Sequence, residues 1–325
     1  MFGAGAMGTA LAMHAARAGL DVALWANPHD AQALESIRRD GRHPALPEHV
    51  PGALSVHGPD ELEHASAGCE IAVLAANSAG ARSLARMVRD ALDGTRYVVS
   101  LAKGLESESR TRVSLVYQEE LGGPDVLAVG GPCLAQELAG GSPSAAVWSA
   151  GNLEDARAAG ERFGDRHYQV TYTDDITGLE FCTTGKNVTA IGAGILDGLA
   201  KLADEHFRNA QAALFTRAVA ELAEFVTAMG GRAETAMGLA GLGDLLVTSL
   251  GGRNRLYGER VGEGADPSAA LEEMTSRGLT VEGVDSTRDV YALSEEAGLD
   301  LPYHRAVYGV LFEGRDPRSV METLC

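Results

Sequence analysis

Cysteine is scarce. The 325 residues hold four, Cys69, Cys133, Cys182 and Cys325. Their spacing fits no metal-binding pattern and gives no basis for a disulfide framework, so neither a metal site nor a disulfide is expected. Positive charge is short as well: 27 Lys and Arg stand against 45 Asp and Glu, for a net charge of −18. A surface of that sign repels phosphodiester backbones and anionic lipid. Nucleic acid and membrane are therefore not expected partners, and an anionic ligand needs a local basic pocket. No apolar run is long enough to span a bilayer, and none has the form of a signal peptide, so the expected location is cytoplasmic. Internal repeats and low-complexity tracts are also absent. What remains is a chain long enough for two domains, each able to bury a core.

A further shortage lies at the start, "MFGAGAMGTALA". Gly3-Ala4-Gly5-Ala6-Met7-Gly8 is a G-x-G-x-x-G, a motif that sits between a first strand and a first helix. Only Met1 and Phe2 precede it. The helix after it is amphipathic and ends at Gly19, and Asp21–Trp25 reads as the next strand. In that βαβ context Gly3 allows the tight turn, Gly5 the approach of a pyrophosphate, and Gly8 the helix–strand contact. The residues opening the helix, Ala6 and Met7 among them, offer N–H groups to phosphate. A buried central strand reduced to a stub leaves neighbouring backbone groups unpaired. The expectation is that residues upstream of Met1 complete it.

The end of that next strand lacks a feature too. It reads "LWANPHD": Asn27 stands where a carboxylate commonly holds the ribose hydroxyls of NAD, and no Arg follows to hold the 2′-phosphate of NADP. Asn27 either serves a cofactor or caps the next helix, and NAD and NADP both remain open.

What is present alternates. Asp21–Trp25, Leu54–His57, Ile71–Ala75, Tyr97–Leu101, Val126–Gly130, Ala145–Ser149 and Tyr168–Tyr172 read as strands. The central ones are continuously apolar, as strands buried on both faces are. Helical stretches such as Ala79–Leu92 lie between, which predicts a doubly wound parallel sheet. Beyond Asp174 only helical patterns follow. Ile176–Leu202 and Asn209–Met229 are long. Asp285–Ala297 has Asp285 or Ser286 as its cap and Gly298 as its stop, and Leu301–Glu313 has Pro302 in its first turn. The boundary is drawn there: 1–173 as a dinucleotide-binding domain and 174–325 as an all-helical domain.

Three stretches carry candidate chemistry. In "SLAKGLE", Lys103 lies just past a buried strand, where α/β sheets bind ligands, although a solvated loop lysine reads the same. In "GLEFCTTGKNVTAIGAGILDGL", Lys186 and Asn187 share a helix with Gly185, Gly192, Gly194 and Gly198. Each glycine costs that helix up to about 1 kcal/mol against Ala, which is tolerated where another backbone packs close. A lysine so crowded loses solvent, and desolvation lowers its pKa toward acid–base work. The alternative is a lysine reaching out to water. In "GLAGLGDLLVTSLGGRNR", Asp244 lies in an apolar run and needs a partner, for which Lys186 is available. Arg253 and Asn254 suit a phosphate or carboxylate, or are simply a surface pair.

Taken in order, "GAGAMGTALA", "AKGLE", "GGPCLAQE", "GKNVTAIGAGILDGL", "NAQAALFTRAVAEL", "GLAGLGDLLVT", "GRN" and "VEG" resemble the blocks of the NAD(P)-dependent glycerol-3-phosphate dehydrogenase family. The resemblance covers nearly the whole chain. It implies a Rossmann domain followed by a helical domain of the 6-phosphogluconate dehydrogenase C-terminal type, with the active site between them. It implies reversible hydride transfer between sn-glycerol 3-phosphate and dihydroxyacetone phosphate, NAD or NADP as cofactor, a homodimer, and supply of glycerophospholipid precursors. Lys186 is then the general acid/base, oriented by Asp244. Lys103 touches substrate beside the nicotinamide, and Asn187 and Thr248 shape the pocket. Arg253 and Asn254 hold the phosphate, with Arg253 close to the cofactor. Gly131 and Cys133 fall at substrate-contacting positions, and Ala135, Thr280 and Glu282 at cofactor-contacting ones.

Departures cluster around the same pocket. Cys133 replaces a Ser or Thr, Gly252 replaces the Ser of an "SRN", and the loop from Asp244 to Arg253 is shorter. "AKLADEHFRNAQAAL" replaces a glycine-rich link, Gln211 stands for a basic residue and Asn77 for a Pro. They leave open a relative acting on another phosphorylated polyol or ketose. A cofactor-binding redox sensor is a more distant alternative, because it has no need of both Lys186 and Asp244.

Overall fold

The computed structural model describes residues 1–106, 109–123 and 125–324; Cys325 lies outside them. Two compact units are formed, 1–176 and 177–325. The first contains strands β1 (Val22–Trp25), β2 (Leu54–His57), β3 (Ile71–Leu74), β4 (Tyr97–Ser100), β5 (Leu105–Glu106), β6 (Thr111–Arg112), β7 (Val126–Gly130), β8 (Ser144–Ser149) and β9 (Tyr168–Thr173). Its helices are α1 (Ala6–Arg17), α2 (Ala31–Asp40), α3 (Leu62–Ser66), α4 (Ala81–Val88), α5 (Val113–Leu121), α6 (Ala135–Gly140) and α7 (Leu153–Gly160).

β1 pairs with β2, and β3-β4-β7-β8-β9 form a five-stranded run. Phe2 joins the two. Its N–H donates to the Val73 carbonyl (2.8 Å) and its carbonyl accepts from Ala75 N–H (2.8 Å). On the other side Trp25 N–H donates to the Met1 carbonyl and Gly3 N–H to the Trp25 carbonyl, both at 2.9 Å. Both bridges are parallel. The stub thus satisfies backbone groups of both neighbours, and the Phe2 side chain is fully buried against Trp25, ring centroids 6.2 Å apart. The pairings are parallel with one exception among the larger strands: β7 and β8 run antiparallel. Continuous apolar runs look alike in either direction, so the sequence carries no sign of this reversal. The expected helix Ala79–Leu92 is regular only over α4, with 3₁₀ turns at Ser78–Gly80 and Arg89–Leu92.

Beside the sheet, α4 and α5 are tied by charge. Arg82 Nε and Nη2 donate to Glu106 Oε1 and Oε2 at 2.7 and 2.9 Å, anchoring β5. Arg86 Nε and Nη2 fork onto Glu120 at 2.9 Å each, and Arg82 adds a bond of 2.5 Å. These hydrogen bonds, Arg86 first and Arg82 next, hold the Glu120 carboxyl down from 4.5 to about 2. A depressed folded-state pKa gives stability that is present above about 4.5 and lost as pH falls through about 2. Glu120→Gln is therefore expected to flatten the fall of melting temperature between pH 4.5 and 2. A thermal scan across that range checks it; an unchanged slope removes Glu120 as the acid-labile group.

The second unit is helical. It contains α8 (Ile176–Ala203, whose first residue closes the first unit), α9 (Arg208–Ala228), α10 (Ala233–Met237), α11 (Asp244–Leu250), α12 (Arg253–Gly262), α13 (Pro267–Ser276), α14 (Glu282–Ala297), α15 (Pro302–Phe312) and α16 (Ser319–Glu322). A π turn, Leu239–Gly243, leads into α11. The glycines of α8 have identifiable neighbours. A Cβ on Gly194 or Gly198 would strike the α12 backbone at Arg255 and Glu259, and one on Gly258 or Gly262 would strike α8 at Ile191 and Ile195. The two helices thus meet backbone to backbone. α15 is capped from α9: Glu221 accepts from the N–H groups of Tyr303 (2.9 Å) and His304 (3.1 Å) and meets His304 Nδ1 at 2.8 Å, all buried. No helix among the described residues is long and apolar enough to cross a membrane.

Candidate active site

In the first unit the glycine motif forms the turn into α1. Gly3 has φ +112°, and a Cβ there would lie 2.7 Å from the Ala75 carbonyl oxygen; one on Gly8 would lie 2.7 Å from Ala75 Cβ. Gly5 is different, with nothing within 4 Å of such a Cβ. Two glycines answer to packing and the middle one leaves open space over the backbone. That space lies beside the first amides of α1 at Ala6 and Met7, which have no intrahelical acceptor. A pyrophosphate fits this cradle.

Asp30, which the sequence reading passed over, holds the turn. Its Oδ2 accepts from Ala4 N–H (2.9 Å) and Asn27 N–H (3.1 Å). Asn27 Oδ1 accepts from His29 N–H at 2.7 Å, so Asn27 caps the short 3₁₀ turn Pro28–Asp30. The signal was available: an Asn followed three residues later by an acid is a capping pattern.

At the carboxyl ends of β4 and β7 the chain brings Lys103 and Gly131 together, Lys103 Nζ donating to the Gly131 carbonyl at 3.4 Å. Gly131 has φ +104° and packs over Ala146. Cys133 follows, half-buried against the core, and Ala135 opens α6. Cys69, Cys133 and Cys182 form no disulfide. Among the described residues no three His, Cys, Asp or Glu side chains are placed to hold a metal.

In the second unit Lys186 and Asn187 lie buried on α8. Lys186 Nζ is 2.6 Å from Asp244 Oδ1, with the two side chains 5% and 2% exposed. Asp244 reaches this position because the π turn before it packs tightly: a Cβ on Gly241 would collide with the Ala236 backbone. Thr248 Oγ1 donates to the Asp244 carbonyl (2.6 Å), one turn on. The loop after α11 turns at Gly252, φ +100°, which a Ser adopts only under strain and which accounts for the glycine there.

α12 then presents two neighbours differently. Arg253 is half-exposed, its Nη2 3.9 Å from Glu282 Oε1, and Thr280 is exposed nearby in sequence. Asn254 is buried: Nδ2 donates to Asn187 Oδ1 and Oδ1 accepts from Gly283 N–H, each at 3.0 Å. The altered link between α8 and α9 is also tied in. Asp197 accepts from Gln211 Nε2 (2.8 Å) and Arg255 Nε (2.6 Å).

A buried ammonium held by a carboxylate, with a guanidinium close by in sequence on the next helix, suits proton exchange on an anionic small molecule. Residues 1–156 match the family model described as NAD-dependent glycerol-3-phosphate dehydrogenase N-terminus, and residues 175–322 match the one described as its C-terminus. The chain belongs to this family. It is therefore an NAD(P)-dependent oxidoreductase of the kind that acts on a CH–OH group. It is similar to glycerol-3-phosphate dehydrogenase [NAD(P)+] 2 of Salinibacter ruber, 38% identical over all of this chain and 93% of that protein. The enzyme of Thermoanaerobacter sp. is 34% identical over 100% and 95%. Among solved structures, glycerol-3-phosphate dehydrogenase from Coxiella burnetii matches with TM-score 0.87 and 31% identity, over 99% of this chain and 97% of that one.

Proposed function

We propose that this protein interconverts sn-glycerol 3-phosphate and dihydroxyacetone phosphate with NAD(H) or NADP(H), supplying glycerophospholipid precursors. The observation that carries the reading is the buried Lys186–Asp244 pair at 2.6 Å. When bound, the nicotinamide supplies or accepts the hydride. The Lys186 ammonium donates a proton to the C2 oxygen during reduction and takes it back during oxidation. Asp244 keeps that ammonium charged and aimed until the proton moves. Negative charge grows on the carbonyl oxygen as hydride arrives, so a pre-set cation stabilises the transition state more than the ground state. The Arg253 guanidinium meets the phosphate. By the family pattern Lys103, Gly131, Cys133, Asn187 and Thr248 line the substrate, while Ala135, Thr280 and Glu282 touch the cofactor. The same pattern supports a cytoplasmic homodimer, which sedimentation of the purified chain checks.

Oxidation of NADH and NADPH with dihydroxyacetone phosphate, followed by absorbance, tests the reading. Turnover at submillimolar substrate is expected. Bound cofactor without turnover sinks it, and points to another phosphorylated ketose in a pocket altered at Cys133 and Gly252.

The grip of Asp30 on the motif has its own consequence. Asp30→Ala frees the Ala4 amide, and NADH affinity is expected to fall about tenfold, the scale of one charge-assisted hydrogen bond. Titration of intrinsic fluorescence checks it; an unchanged Kd means the turn holds its shape unaided.

A further inference from the structure

Asp30 spends only one of its two oxygens on the fold. Oδ2 takes both backbone bonds, from Ala4 N–H and Asn27 N–H. Among the described residues nothing donates to Oδ1, and no Lys or Arg pairs with the carboxylate. The group is half-buried between the glycine turn that leads into α1 and the segment that leaves β1. In a βαβ dinucleotide unit this joint, about twenty residues past the glycines, is where an acid takes the 2′-hydroxyl of the adenosine ribose. Asn27 is no acid, and its Oδ1 is given to His29 N–H. The 3₁₀ turn Pro28–Asp30 folds back on Asn27 and returns a carboxylate to the place.

We infer that Asp30 is a specificity-determining residue: its Oδ1 accepts the ribose 2′-hydroxyl of NAD(H), and the chain selects NAD(H) over NADP(H). The inference rests on the cofactor of the reading above and not on its substrate. A hydroxyl donates to a carboxylate, and such a charge-assisted bond is about twice as strong as a neutral one. A phosphate monoester, as at the 2′ position of NADP(H), carries about −1.5 to −2 charge at pH 7 and strong acceptor oxygens. It meets Asp30 as like charge against like. The neighbouring arginines are occupied elsewhere. Arg38 Nη2 donates to Glu61 Oε2 at 2.8 Å, and the same oxygen accepts from Gly58 N–H at 2.6 Å, just past β2. Arg42 Nε turns to His49 Nε2 at 2.9 Å. His43 is buried against the Ala4 backbone, and burial lowers its pKa below the ordinary 6.5, so it adds no charge at pH 7.

The test is binding to the full chain, read by quenching of intrinsic fluorescence, with NADH and NADPH as the probes. Wild-type protein should bind NADH at least about tenfold more tightly than NADPH, the scale of one hydrogen bond to a charged group. Asp30→Asn keeps an oxygen for the Ala4 and Asn27 amides but removes the charge and sets an NH₂ where Oδ1 stood. It should weaken the binding of NADH and not that of NADPH, bringing the two constants within about threefold of each other. A role in the turn alone predicts something else: both cofactors weaken alike, or neither does, and their ratio stays as in the wild type. That result overturns the inference, as does wild-type protein that binds NADPH as tightly as NADH. Should Asp30→Asn fail to fold, Asp30→Ser, which also offers an uncharged oxygen, takes its place with the same loss of preference expected. Turnover is read separately. Protein that is inert toward dihydroxyacetone phosphate, yet prefers NADH in binding and loses that preference in the variant, would sink the functional reading and leave this one standing. Wild-type protein that binds neither cofactor overturns both.

Discussion

Lys186→Met is expected to lower kcat with dihydroxyacetone phosphate by about 10²- to 10⁴-fold, the range for removal of a positioned acid–base group. NADH binding should persist, because the cofactor cradle at Gly3–Gly8 belongs to the other unit. Stability suffers as well. Removing the ammonium leaves the Asp244 carboxylate buried beside an apolar stem, and breaking a buried pair from one side costs about 3–5 kcal/mol. The two effects separate in the double variant Lys186→Met/Asp244→Leu. With both charges gone the desolvation penalty is gone too, so much of the stability should return. Activity should not return. Kinetics together with thermal melts on the three proteins check this. Recovery of turnover in the double variant would show that Lys186 and Asp244 serve the fold and that the proton comes from elsewhere.

The second large effect concerns a residue with no side chain. Gly194→Ala is expected to destabilise the helical unit, although helix propensity alone favours Ala by about 1 kcal/mol. The sign is decided by contact. The new Cβ would overlap the Arg255 carbonyl and lie 2.8 Å from the Glu259 nitrogen. Both are α12 backbone and cannot rotate away, so the helices must separate. Overpacking of this kind costs about 1–3 kcal/mol, and backbone on both sides puts this case at the upper end. For a unit of this size that lowers the melting temperature by about 6–12 °C. Turnover should fall too, because α12 carries Arg253 and Asn254 past α8. Gly140→Ala, at the end of α6 with nothing within 4 Å of the new Cβ, supplies the contrast: stability should hold or rise by about 0.4–1 kcal/mol. If both variants melt alike, the close α8–α12 crossing is not what restrains position 194.

How far each feature could be read in the sequence follows the range of the interaction behind it. The long helix was legible as Ile176–Leu202 and is found as Ile176–Ala203, because its propensities and its glycine spacing are local. Lys186 and Asp244 were legible as a possible pair, since a carboxylate in an apolar run requires a cation. The start of α14 was misread at Asp285, because the acceptor that sets it sits on Asn254, 29 residues away. Asp30 went unnoticed for a similar reason. Its role depends on the Ala4 amide, 26 residues away.

The sequence by itself determined the two-part architecture, the positions of the buried strands, the glycine turn and the family to which the chain belongs. These rest on periodicity, on residue type and on motifs whose parts lie close together in the chain. Only the tertiary structure decided that β8 runs against β7, that Phe2 pairs with both β1 and β3, and that Asn254 faces inward while Arg253 stays half-exposed. Each of those outcomes depends on which backbone donor meets which distant acceptor once the chain has packed. A one-dimensional pattern does not carry that information, because the same residues satisfy it in either arrangement.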